Sequence, residues 1–85
     1  MDLVIEKRAM DRLDDLPPTA RQALLDRLER IAADPFAQHP NAKRLAGQPD
    51  VFRLRQGAWR AVYSVDRARN EVRVVRIVPR SEAYR

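Results

Sequence analysis

The spacing of apolar positions changes twice along the chain, and each change marks a different kind of element. Leu3 and Ile5 alternate around Val4, so Asp2 to Glu6 reads as a short first strand. From Lys7 the spacing lengthens. Ala9, Leu13 and Leu16 recur at helical intervals and predict a helix from Lys7 to about Leu16. Pro17-Pro18 stops it, because the residue before a proline is pushed out of the α region. Pro18 can then open a second helix at its first turn, where a missing N–H costs little. Ala20, Leu24, Leu28 and Ile31 mark the apolar face of that helix, and Asp34-Pro35 ends it. Arg21, Arg27 and Arg30 lie elsewhere around it and are expected to serve the fold alone. So short a joint predicts an antiparallel helical hairpin.

Phe36 to Asp50, punctuated by Pro40, Asn41, Gly47 and Pro49, reads as a loop crossing from helices to sheet. Period-two runs follow at Val51–Gln56, Trp59–Asp66 and Glu71–Val78. Gln56-Gly57-Ala58 predicts a tight hairpin turn, and Arg67–Asn70 a slightly longer one. Ser81 to Arg85 is read as too short for another helix. The expected fold is α+β, in the order β-α-α-β-β-β. The helices cover one face of a mostly antiparallel sheet, in a single domain spanning 1–85.

Composition removes several kinds of chemistry. The 85 residues include no cysteine, which excludes disulfides, thiolate metal sites and cysteine nucleophiles. A single histidine, His39, leaves no histidine-rich metal site, and two glycines are too few for a Gly-rich phosphate loop. No cofactor is expected. No apolar run approaches the ~18 residues of a membrane span. Asp2, Glu6, Lys7 and Arg8 do not suit a secretory signal. A cytoplasmic domain with no membrane contact is the expectation.

Charge adds a direction. The net charge of +5 is uneven: Met1–Ala42 carries −2, and Lys43–Arg85 carries +7. Fifteen of the seventeen cations are arginine, whose planar fork suits phosphate, so a polyanionic partner is expected for the second half. Alternation then locates the cations. Phe52 and Leu54 share one face of the first run, and Arg53 and Arg55 the other. Trp59, Ala61, Tyr63 and Val65 alternate against Arg60, Val62 and Ser64. In the last run, Val75 and Ile77 alternate against Val74, Arg76 and Val78. With helices over the apolar face, Arg53, Arg55, Arg60 and Arg76 should emerge together on the open one. Arg80 and Tyr84 follow at the chain end. Phe52 and Tyr63 read as core, and His39 as a surface-loop residue.

Leu45-Ala46-Gly47, followed by Val51-Phe52-Arg53-Leu54-Arg55-Gln56-Gly57-Ala58-Trp59-Arg60-Ala61-Val62-Tyr63-Ser64-Val65-Asp66, resembles the signature of the RelE/ParE toxin superfamily. The end, Val75-Arg76-Ile77-Val78-Pro79-Arg80-Ser81-Glu82-Ala83-Tyr84-Arg85, is similar to the tail of the RelE branch. The resemblance implies the fold derived above. It also implies a toxin of a type II toxin–antitoxin pair that cuts mRNA in the ribosomal A site without a metal. An attacking 2′-hydroxyl would leave a cyclic phosphate. By the same resemblance Arg53 and Arg55 occupy the family's paired basic positions and Arg60 a phosphate-binding position. Arg80 occupies the basic position of the tail, and Tyr84 that of the aromatic that holds the scissile nucleotide.

The sequence departs from the family pattern in two respects. The paired basic residues are arginines, which almost never release a proton, and Val78-Pro79 stands in place of the common Gly-His. Tyr84 and Glu82 are then the ionisable candidates for proton transfer. The implied partners are an acidic antitoxin, the ribosome and mRNA, with operator DNA reached only through the antitoxin. Two other readings stay open: a ParE-like poison of DNA gyrase that cuts nothing, and an antitoxin-bound nucleic-acid-binding module without nuclease activity.

Overall fold

Helical and period-two apolar residues meet in one cluster: Ala9, Leu13, Leu24, Leu28 and Ile31 from two helices, Leu54, Ala61, Tyr63, Val72, Val74 and Ile77 from three strands. The computed structural model describes residues 1–83. Its elements are β1 (Asp2–Ile5), α1 (Lys7–Asp14), α2 (Pro18–Ala33), β2 (Ala42–Arg44), β3 (Val51–Gln56), β4 (Trp59–Asp66), β5 (Glu71–Pro79) and α3 (Arg80–Ala83). Among the described residues the strands form one sheet in the order β1-β5-β4-β3-β2. The β1–β5 pair is parallel and all others are antiparallel. The α+β class and the placing of both helices over the apolar sheet face agree with the alternation of the sequence. Among the described residues no helix is long and apolar enough to cross a membrane.

Four details differ from the sequence expectation. First, α1 ends at Asp14, and Leu16 is buried from the turn that follows. Second, the crossing loop contains β2, which pairs Ala42, Lys43 and Arg44 with Leu54, Arg53 and Phe52. Its lysine and arginine lie on a sheet edge, where charge discourages pairing with another chain.

Third, β5 carries a bulge. Tyr63 faces Val74 and Val62 faces Arg76, so Val75 has no counterpart on β4. The extra residue exchanges the two faces of β5. Val72 and Val74 point into the core before it and Ile77 after it, so Val75 and Ile77 do not share a face as strict alternation would require. Fourth, the chain end is helical: Arg80–Ala83 form α3. Its first amide, that of Arg80, donates to the Ala58 carbonyl at 2.8 Å. Arg12 holds the other end, donating to Glu82 at 2.7 Å. The same guanidinium, through Nε, meets the Ile77 carbonyl, beyond the point where β1 stops pairing with β5.

Candidate nucleic-acid interface

Two rows of residues run across the uncovered face at the end of the sheet where β3 turns into β4. Residues directly opposite in a ladder point to the same side. One row reads Lys43, Arg53, Val62, Arg76 across β2, β3, β4 and β5. The other reads Arg55, Arg60, Val78. The turn that aligns them is Gly57-Ala58, between the paired Gln56 and Trp59, with Gly57 at φ +59° in the left-handed region. Arg55 and Arg76 are exposed and Arg53 is half-buried. Arg80, exposed at the start of α3, is brought to the same end by its amide bond to Ala58.

Arg60 does not emerge with the others. Only 3% of it is exposed, and its Nη1 donates to the carbonyls of Gly57 at 2.9 Å and Trp59 at 2.8 Å. Its Nε finds no partner among the described residues. Arg60 lies directly opposite Arg55, where like charges repel, and the two turn carbonyls hold its guanidinium away from that neighbour. Arg55 takes the solvent and Arg60 folds back onto the hairpin turn. Alternation correctly gives the face of Arg60 but not the direction its guanidinium takes. Tyr84 lies outside the described residues.

Arg27 is also more than a charge on a helix. It donates to the Pro40 carbonyl and, at 3.2 Å, to Gln56 Oε1, tying α2 to the loop before β2 and to the end of β3. Asn41 then ties that loop to β3. Its carbonyl accepts from the Arg55 amide at 2.9 Å, and its side-chain oxygen from the Arg55 guanidinium at 3.4 Å. Between loop and strand lies a cleft of about 510 Å³, whose walls include His39, Asn41, Lys43, Arg53 and Arg55. Lys43 was hidden from sequence reasoning by the prolines and glycine around it, although Lys43 and Leu45 frame a two-residue period. His39, read as a loop residue of no consequence, lines the same cleft.

Arg73, on the same face opposite Ser64, is neutralised by Glu71 at 2.6 Å and Glu6 at 3.5 Å. The Glu71 hydrogen bond, the largest influence, holds its guanidinium even more firmly protonated than usual. Tyr63 stacks on Phe52 on the core side, ring centroids 5.3 Å apart. Burial pushes its phenol up to about 12, against a smaller opposing effect of the Arg27 charge, so Tyr63 offers no base at neutral pH. Because the folded value lies above the ordinary 10, the folded state holds that proton more tightly. Its contribution to stability is complete below pH 10 and is lost as pH rises through about 12. Urea unfolding should show a loss of roughly 2–3 kcal/mol across that window, absent in Tyr63→Phe.

The residues from 3 to 84 match the family model described as the ParE toxin of type II toxin–antitoxin systems. The chain belongs to the RelE/ParE toxin superfamily. The toxin RelE1 of Methanocaldococcus jannaschii is 34% identical over 62 residues, covering 72% of this chain and 69% of that protein. The toxin's fold is similar to that of isolated E. coli RelE, with a TM-score of 0.80 and 28% identity over 98% of this chain and 89% of that one. It is likewise similar to the fold in the archaeal RelE–RelB complex of Pyrococcus horikoshii, with a TM-score of 0.81 and 24% identity, covering 96% and 97% of the two chains. This chain is thus a type II toxin of RelE-like fold, and the cationic face lies on the side of the sheet that its helices leave uncovered.

Proposed function

We propose that the toxin is a ribosome-dependent mRNA endonuclease acting in the A site, held in check by an acidic antitoxin. The observation that carries this reading is the convergence of Lys43, Arg53 and Arg55 on one cleft, with Arg80 tied to the same end of the sheet. Strand-borne guanidiniums fixed by register are preorganised donors for a phosphate that gains negative charge as the 2′-oxygen attacks. Arg53 and Arg55 clamp that phosphate, Arg80 meets a neighbouring one, and Tyr84 holds the scissile nucleotide. Arg60 acts indirectly, by fixing the turn that sets the register of Arg55. Binding supplied by the ribosome orients the message, so the toxin itself need only recognise backbone and one nucleotide.

The antitoxin assignment rests on charge and on company. Several similar structures are complexes of RelE with RelB. A segment rich in acidic residues would neutralise the face, and any operator DNA would be reached through that partner.

A second reading is favoured by the family model itself, whose description is ParE, together with the absence of a lysine pair on β3. In that reading the same cations poison DNA gyrase and cut nothing. Primer-extension mapping on ribosome-bound transcripts separates the two. Cuts within A-site codons should appear within minutes of adding the purified toxin. A message left intact while supercoiling stops would instead assign the toxin to gyrase.

A further inference from the structure

Phosphodiester cleavage by a 2′-hydroxyl needs a group that takes the hydroxyl proton, and arginine is a poor one. The cleft supplies another. His39 lines it together with Lys43, Arg53 and Arg55. The segment that carries it is held at several points. Its Nε2 lies 2.6 Å from the Asp34 carbonyl, its own carbonyl accepts from the Ala42 amide at 3.2 Å, Arg27 holds Pro40, and Asn41 is bonded to Arg55. An imidazole on a segment pinned to both α2 and β3 is positioned, not merely displayed.

The bond to Asp34 also settles which nitrogen is basic. A carbonyl only accepts, so Nε2 carries the hydrogen and Nδ1 keeps its lone pair. Nδ1 is therefore the ring nitrogen left to meet a ligand in the cleft. We infer that His39 is the general base of this toxin, with Nδ1 taking the 2′-hydroxyl proton of a ribonucleotide whose 3′-phosphate is held by Arg53, Arg55 and Lys43.

The step balances without a further reagent. The 2′-hydroxyl proton passes to Nδ1 as the 2′-oxygen–phosphorus bond forms. The bond from phosphorus to the 5′-oxygen breaks, leaving a 2′,3′-cyclic phosphate. The departing 5′-oxygen takes a proton from water, and His39 returns its own to solvent. The inference rests on the nuclease reading and sharpens it. It assigns proton transfer to a residue of the loop before β2, in the cleft that the arginines of β3 also line.

The charged groups that share the cleft lining with His39 are Lys43 from β2 and Arg53 and Arg55 from β3, while Arg27 of α2 holds the neighbouring Pro40 and Asp34, just after α2, meets the ring through its backbone carbonyl. The test uses His39→Gln, whose amide nitrogen can keep the bond to the Asp34 carbonyl but offers no basic nitrogen. Single-turnover cleavage of ribosome-bound mRNA should fall ~10²–10⁴-fold, with ribosome and antitoxin affinities unchanged. Nitrogen chemical shifts of the His39 ring should report the Nε2–H tautomer. Full activity in His39→Gln, or an Nδ1–H ring, overturns the assignment while the nuclease reading stands. Uncut messages with the unmodified toxin overturn both.

Discussion

Arg55→Ala should lose about 10²–10³-fold in A-site cleavage while its melting temperature stays level or rises. The two halves of this expectation have separate causes. Arg55 is exposed at the rim of the cleft, where among the described residues its guanidinium meets only the side-chain oxygen of Asn41, at a long 3.4 Å. Little folding energy depends on that bond, and a surface change of this kind usually shifts stability by less than ~0.5 kcal/mol. Its removal also relieves the repulsion with Arg60 directly across the ladder. In the transition state the same guanidinium faces a phosphorane bearing extra charge, and loss of one preorganised donor removes ~2.7–4 kcal/mol of stabilisation. Arg30→Ala, an exposed change on α2 at a residue that does not line the cleft, serves as the control and should cut normally. Arg27→Ala would not serve, because it frees the loop that carries His39. Equal cleavage by Arg55→Ala and the unmodified toxin would remove β3 from the site.

Arg60→Ala should behave in the opposite manner and fail by unfolding. The substitution empties a site that is 3% exposed and strips the donor from two carbonyls at the hairpin turn. Loss of a partly buried partner costs a carbonyl up to roughly 1–3 kcal/mol, less for exposed Gly57, and the cavity adds to that. With ~4–8 °C per kcal/mol for a chain of this size, the melting temperature should drop on the order of 10–20 °C. Arg60→Lys retains the charge and one reachable carbonyl, so it should recover part of the loss. Circular dichroism melts of the three proteins, run beside cleavage assays at low temperature, separate fold from chemistry. A melt unchanged by Arg60→Ala, with cleavage gone, would mean that the guanidinium leaves its pocket to bind phosphate.

Most of the scaffold was legible because its signals are local. Ala9, Leu13, Leu24, Leu28 and Ile31 follow helical spacing and are all buried, and Pro17-Pro18 divides the helices as proline chemistry requires. The alternation of Phe52 and Leu54 against Arg53 and Arg55 holds because a regular ladder preserves it. What escaped depends on partners distant in the chain. β2 is three residues long and exists through its pairing with β3. The bulge at Val75 is silent in a run with valine on both faces, since an extra residue changes the register without changing the composition. Arg60 is a local exception: alternation gives its face, but its burial rests on the carbonyls of Gly57 and Trp59, to which its side chain folds back. His39 sits between Gln38 and Pro40, and nothing in that string announces Arg53 or Arg55 in the same cleft.

The parallel pairing of β1 with β5 has a bearing on how the toxin comes into being. Leu3 sits beside Val72 and Ile5 beside Val74, so the first strand made is completed by nearly the last. On a translating ribosome the apolar faces of α1 and α2 emerge long before the central strand they rest upon, and non-local pairings of this kind close slowly. A chain interrupted before Glu71 lacks β5 entirely, and with it the neighbour of both β1 and β4. Such fragments keep their hydrophobic surfaces open and fall to proteases and chaperones. The sheet therefore closes in one late step, when β5 enters between β1 and β4.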